Sequence, residues 1–452
     1  VNEVKAGAKE DAGVTRGDVS GTGVIAVNLV AAVVALLLVS VLFRYDTGVE
    51  REPEIMPAVI DTSELMETRV LPESLPEPVS TVPGQWLQAR GGPCGDVGSG
   101  EDVVSPFEIL WHVESENHRE FFSSPALVDG VLYFGGNDGY MRAVDASDGS
   151  VLWSFGTSCG ICGEPAVDSN MVFFGGQDGY VYALDRNTGI LAWSAGLGYH
   201  VFADVGIMID SLILSGNSRG KICALARDDG EPVWSASLDG IVLGPAVVGS
   251  LAVFTSESGV TAVLDGTGSV LWKLRGPGQS SPPSADGEAV YVAYSGGVVR
   301  KYDLLDGAVI WERDVVDTPG RCVLARPVIS GGKVFVGTND ATMVCLDAVT
   351  GGIAWVQRFE NWVQLPPAIG ERFLYVACDD RELHVLDGYT GEKVDSLDMG
   401  GYAGTAPLLA GGTLYFGNAS GDFMAVAGTP PVDSTAVAED STMIDKSEGE
   451  RM

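Results

Sequence analysis

Positive charge is scarce in this chain. Its 452 residues include 27 Lys and Arg against 61 Asp and Glu, a formal net charge of −34. Binding nucleic acid needs a basic footprint that neutralises phosphates, so that function is excluded. Adsorption to an anionic lipid surface is disfavoured for the same reason. The acidity reads as solubility through self-repulsion. Histidine is scarce too, the whole set being His112, His118, His200 and His384. His112 and His384 fall on strand-like stretches, and His118 and His200 fall in loops of different repeats, so no metal site is expected. No nucleophile–base pair and no phosphate loop stands out. The Asp-Gly dipeptides read as hairpin turns.

Long apolar runs are missing except at one place. Val24–Phe43, VIAVNLVAAVVALLLVSVLF, is twenty residues without a charge. As a helix rising about 1.5 Å per residue it spans the roughly 30 Å hydrocarbon core of a bilayer. It ends in Phe43-Arg44-Tyr45-Asp46, with no small-residue cleavage pattern and no lipobox cysteine. The expectation is an uncleaved signal anchor over 23–44, preceded by a short cytoplasmic segment, 1–22; a cleaved secretory signal is the alternative. Residues 45–106 are rich in Pro and Glu without a sustained period, which describes an extended, self-repelling tether. Residues 429–452 form a polar, acidic tail expected to be disordered.

Between these flanks, over 107–428, the chain repeats. Eight segments open at Pro125, Pro165, Val205, Pro245, Pro283, Pro327, Pro367 and Pro407, at intervals of 40, 40, 40, 38, 44, 40 and 40 residues. Each continues into an apolar strand such as VLYFGG or KVFVGT, then a second strand ending in Asp or a substitute, a turn, and a third strand ending in Trp. A period near 40 with about four short strands per unit marks a propeller blade. The eighth copy stops at Gly428 without a closing strand. FEILWHV, Phe107–Val113, stands spare ahead of the first full copy and carries Trp111. Pairing the two closes the ring and removes the exposed edges. The expected fold is therefore an all-β, eight-bladed propeller of four-stranded antiparallel blades, closed by its own N- and C-terminal strands and preceded by one transmembrane helix.

Each conserved-looking place in a repeat has a structural role. In GGQDGYVYALDRNTGILAW, Gly189 supplies positive φ for the turn, and Asp185 and Thr188 accept hydrogen bonds from turn N–H groups. Ala183 leaves space for a large neighbour. Trp193 is that kind of neighbour, able to pack between blades while its indole N–H finds a carbonyl. Trp111, Trp153, Trp193, Trp234, Trp272, Trp311 and Trp355 are the expected blade anchors; the seventh copy has Asp395 instead.

AVDASDGSVLW, ALDRNTGILAW and CLDAVTGGIAW resemble the A-x-D-x-x-T-G-x-x-x-W motif of PQQ-type β-propeller repeats, and the layout is similar to the family's BamB-type assembly scaffolds. The resemblance covers about 70% of the chain. It implies one of two functions. Quinoprotein dehydrogenases of the family hold pyrroloquinoline quinone and Ca²⁺ in the central funnel, against a disulfide between adjacent cysteines. This sequence has no adjacent cysteines and no placeable Glu/Asn/Asp calcium set, so no cofactor is expected. The other branch binds protein partners in the cell envelope without catalysis, which is the expected role here, with the propeller outside the cytoplasm. A ligand-sensing propeller is a third class, for which the 22 residues before the span are short as an output domain.

Two features are left over by the repeat. Cys159 and Cys162 lie in the glycine-rich loop TSCGICGEP, expected as a local disulfide in an oxidising compartment, with two free thiols or a redox or metal site as alternatives. Cys223, Cys345 and Cys378 fall on strands as small apolar residues. The loop before Pro327, lengthened in the 44-residue interval, brings Arg321 and Arg326 into an acidic chain. Inter-blade loops of the same face carry Phe122, Tyr199, His200, Phe202, Trp362 and Tyr402. Aromatic residues and arginine are enriched at binding hot spots, so this face is the expected partner surface. For each aromatic the alternative is a plug in the funnel.

Overall fold

The computed structural model describes residues 101–208, 211–316 and 325–431. The expected span at 23–44, most of the tether, Arg321 and nearly all of the tail lie outside the described residues. Among those described, no helix is long and apolar enough to cross a membrane.

Eight four-stranded antiparallel sheets follow one another along the chain. Blades 1 to 7 occupy 126–156, 166–196, 206–237, 242–275, 284–314, 328–358 and 368–398, and blade 8 begins at 408. In the first seven, chain order is also the order within the sheet. The inner strands are buried on both faces because each blade is sandwiched between two others. Val131–Gly135 and Met171–Gly175 accordingly read as unbroken apolar runs, as doubly covered strands do. The outer strands are mostly exposed, and in Leu191–Gly196 the buried residue is Trp193.

Trp193 sits opposite Ala183 in the register, against the ring of Phe173. Its indole N–H donates to the Arg227 carbonyl of the next blade at 2.8 Å. All seven tryptophans make this bond, from Trp111 to Ala146 O, Trp153 to Arg186 O, Trp234 to Gly266 O, Trp272 to Leu304 O, Trp311 to Ala348 O and Trp355 to Gly388 O. Each ring also lies on the turn glycine of the next blade. A Cβ on Gly230 would come 2.5 Å from Trp193 Cε3, and one on Gly189 would come 2.6 Å from Trp153 Cδ2. Gly189 therefore has two roles. It takes the left-handed φ of +69°, and it clears the indole of blade 1. Asp185 accepts from Asn187 N, Thr188 N and Thr188 Oγ1, as the motif requires.

Closure occurs as the truncated eighth copy implies. Val104–Glu114 pairs antiparallel with Asp422–Thr429 as the outer strand of blade 8, with Trp111 opposite Ala425. The fold starts a few residues before 107. Asp102 and Val103 are buried, and the Asp102 carboxylate accepts from Arg372 N and Phe373 N of blade 7. Blade 8 has no turn between its third and fourth strands, because the fourth comes from the other end of the domain. Blade 7 thus has no turn glycine to cover. In place of tryptophan it carries Asp395, whose carboxylate accepts Ser105 N–H at 2.7 Å and fixes the incoming strand.

Candidate functional site

Because the strands alternate in direction, two sets of connections open on one face. They are the loops from each outer strand to the next blade, and the turns between second and third strands. All the described residues of the expected partner surface lie in these loops, but the structure divides them.

Arg326 is not a surface hot spot, which corrects the expectation from sequence. It immediately precedes the inner strand of blade 6. Its Nη1 donates to Glu164 Oε2 at 3.2 Å and its Nη2 to Asp204 Oδ2. Those carboxylates precede the inner strands of blades 2 and 3. Blades 2 and 6 are opposite in an eight-membered ring, so the arginine crosses the axial channel. Its side chain is 12% exposed, and its Nε is buried without a hydrogen-bond partner. Burial opposes the charge, yet the two carboxylates hold the guanidinium pKa above its ordinary value. Glu164 N also donates to Asp204 Oδ1, and a Cβ on Gly244 would meet Asp204 Oδ2 at 2.7 Å. One guanidinium is shared by the two carboxylates, so the triad keeps one net negative charge, and its three side chains meet at this level of the channel.

The rim is different. Tyr199 is exposed, with the Arg219 guanidinium 5.1 Å above its ring. Tyr402 is half-buried and carries Arg381 at 4.7 Å. Phe122 is 40% exposed. His200 and Phe202 face each other at 5.6 Å, and His200 Nδ1 meets the Gln177 carbonyl, so this pair is part of the loop packing. Trp362 is half-buried, and its carbonyl accepts Asp379 N–H. Arg219 and Arg381 were not expected from the sequence. The signal was present, since both stand in turns where blades 1 and 2 have Asp-Gly. Arg381 has φ +76°, at the place where Gly139 and Gly179 have +87° and +89°. A left-handed non-glycine residue costs about 1–2 kcal/mol, and such strain clusters at functional sites.

The expected disulfide is not formed. Cys159 and Cys162 are free thiols, Cys159 exposed. Gln177 Nε2 donates to Cys162 Sγ at 2.8 Å, and burial pushes the Cys162 thiol up to about 11, which leaves it a poor nucleophile at neutral pH. A grouping not foreseen from sequence lies in the turn of blade 7, where one ligand-type atom each of Cys378, Asp380 and His384 lie within 4.8 Å of one another.

The class is thus a self-closed, eight-bladed β-propeller with an ion triad across its axis and arginine–tyrosine pairs on its rim. The profile of the family described as outer membrane protein assembly factor BamB matches residues 107–201, 177–324 and 318–430, and the chain belongs to that family. The BamB of Bordetella pertussis is 28% identical over 156 residues, which is 33% of this chain and 39% of that relative. The chain thus spans well under half of that relative's length. The crystal structure of BamB from Moraxella catarrhalis superposes with a TM-score of 0.60 at 17% identity, covering 71% of this chain and 99% of that one. The quinohemoprotein alcohol dehydrogenase ADHIIG from Pseudomonas putida HK5 superposes with a TM-score of 0.65 at 13% identity, covering 78% and 81%. At these identities the two superpositions speak to the fold alone.

Proposed function

We propose that this propeller is a non-catalytic, protein-binding scaffold of the cell envelope, held at the membrane by the apolar segment 24–43 and acting in outer-membrane protein assembly. The observation that carries this reading is the division of the loop face. The axis, where a ligand of a propeller would be held, is crossed by Arg326 with Glu164 and Asp204. The rim presents Arg219 on Tyr199 and Arg381 on Tyr402, the residue types that anchor protein interfaces. Guanidinium groups stacked on rim tyrosines of a net acidic chain select partners with acidic or aromatic surfaces, and Arg381 keeps a strained backbone that a glycine would relieve. Family membership supports the assembly role.

The test is site-specific photo-crosslinking in cells, from Tyr199 and Tyr402 on the loop face and from Asn187 on the opposite face. Crosslinks to envelope assembly proteins are expected from the first two positions, and loss of them in Arg219→Glu/Arg381→Glu. Crosslinks from Asn187 alone, or capture that survives the double substitution and disappears when residues 45–100 are scrambled, would overturn the proposal. The competing quinoprotein reading requires a bound chromophore after incubation with pyrroloquinoline quinone and Ca²⁺; the scaffold reading requires none.

A further inference from the structure

The turn of blade 7 differs from its counterparts in a way the scaffold role does not use. In blade 1 the turn aspartate Asp138 pairs with Arg142 four residues on, and in blade 2 Asp178 accepts from the Tyr182 hydroxyl. Asp380 and His384 repeat this arrangement, with Nε2 and Oδ2 2.8 Å apart. In blades 1 and 2 the residue two before the aspartate is glycine, and a Cβ there would come 2.5 Å from the carboxylate oxygen. Blade 7 instead has Cys378 at that place, fully buried. A thiol is therefore pressed against the carboxylate at a position the other two blades keep empty. The His384 ring is itself 4% exposed, and its Nδ1 is buried without a hydrogen-bond partner. Glu382 Oε2 stands 3.7 Å from that Nδ1.

We infer that Cys378, Asp380 and His384 form a binding site for a divalent cation of borderline softness, zinc above all. Thiolate sulfur, imidazole nitrogen and carboxylate oxygen are the three donor types zinc takes, at about 2.3, 2.0–2.1 and 2.0–2.2 Å. Ligand atoms spaced within 4.8 Å of one another are close enough to converge on such a centre. His384 Nε2 is the metal-facing nitrogen, because it already meets Asp380. Nδ1–H then turns to Glu382, the carboxylate partner that a metal-bound histidine normally has. The backbone supplies a further oxygen nearby, since Cys378 Sγ lies 3.4 Å from the Asn361 carbonyl. A cation here braces the turn of blade 7 against the loop that carries Trp362.

The experiment uses the full chain in detergent, stripped with a chelator. Zinc is titrated calorimetrically, and cobalt is used as the spectroscopic probe. One equivalent of zinc should bind, and cobalt should give thiolate charge-transfer and tetrahedral ligand-field bands. Cys378→Ser should abolish the charge-transfer band, while Cys159→Ser/Cys162→Ser should leave it intact. His384→Gln should weaken zinc binding by more than the roughly 10–100-fold that follows loss of an outer-shell partner. Added zinc should raise the melting temperature of the parent and not that of Cys378→Ser, a comparison that holds even if His384→Gln folds poorly. Absence of zinc binding, a cobalt spectrum without the thiolate band, or a band that survives Cys378→Ser would overturn the inference.

Discussion

If the indole of one blade and the turn glycine of the next are a matched pair, their substitutions must be coupled. Trp193 is 7% exposed. Burying about 150–250 Å² of aromatic surface at about 25 cal/mol/Å² gives about 4–6 kcal/mol. Measured truncations of buried tryptophan to alanine cost about 3–5 kcal/mol, and the Arg227 carbonyl loses its donor for about 1 kcal/mol more. Trp193→Ala is therefore expected to cost about 4–6 kcal/mol. Gly230→Ala has two costs. The left-handed backbone, at φ +73°, accounts for about 1–2 kcal/mol. The clash of the new Cβ with the indole, 2.5 Å from Cε3, accounts for about 1–3 kcal/mol as overpacking. In the Trp193→Ala background the clash vanishes and only the backbone cost remains. Equilibrium urea unfolding of the parent, both single variants and the double variant, followed by circular dichroism, should give a coupling of about 1–3 kcal/mol. Costs that add to within about 0.5 kcal/mol, the behaviour of independent sites, would refute the matched-pair account. A Trp193→Ala variant that melts like the parent would refute the architectural role altogether.

The seam gives a second prediction: deleting residues 102–114 exposes the edge of the Asp422–Thr429 strand and should cause aggregation or loss of cooperative melting, whereas Asp395→Ala, which removes the bonds from Ser105 N and Ser396 N, should cost about 1.5–3 kcal/mol. Arg326→Ala strands Glu164 and Asp204 in the channel and should destabilise by about 3–5 kcal/mol without changing the crosslinks from Tyr199; a normal melt with lost partner capture would return Arg326 to the binding surface. Asp138 is buried, which raises its pKa, but the hydrogen bond and charge of Arg142 outweigh this and hold it below 3.8. A depressed carboxylate contributes stability above its unfolded pKa that is lost as pH falls through the folded one. Arg142→Met leaves only the backbone N–H groups of Glu116 and Tyr140 to oppose the burial, so the folded pKa rises, the variant loses stability at neutral pH, and the part of the acid-dependent loss that Asp138 contributes should shrink; a neutral-pH melt and an acid-dependent loss both equal to the parent's would show that the pair contributes nothing.

The repeat, the number of blades, the shared last blade and the roles of Asp185, Thr188, Gly189 and Trp193 were all legible in the sequence. Strand alternation and turn chemistry act over a few residues, and eight copies of one pattern make each copy a check on the others. Even the substitution of Asp395 for tryptophan could be seen, though its reason could not: it lies in the missing turn of blade 8 and the arrival there of Ser105. What meets across the ring was decided only by the tertiary structure. Arg326 is 162 residues from Glu164 and 122 from Asp204, and all three hold the same phase of the repeat, just before an inner strand. Closing the ring brings every residue of that phase to the axis, and charge and side-chain reach then select which of them pair. An arginine that in the linear chain resembles a surface anchor is thereby drawn into the channel. The rim is left to Arg219 and Arg381, which local pattern reads as turn residues. Cys378 and His384 are likewise unremarkable as strand residues until the turn of blade 7 folds them onto Asp380.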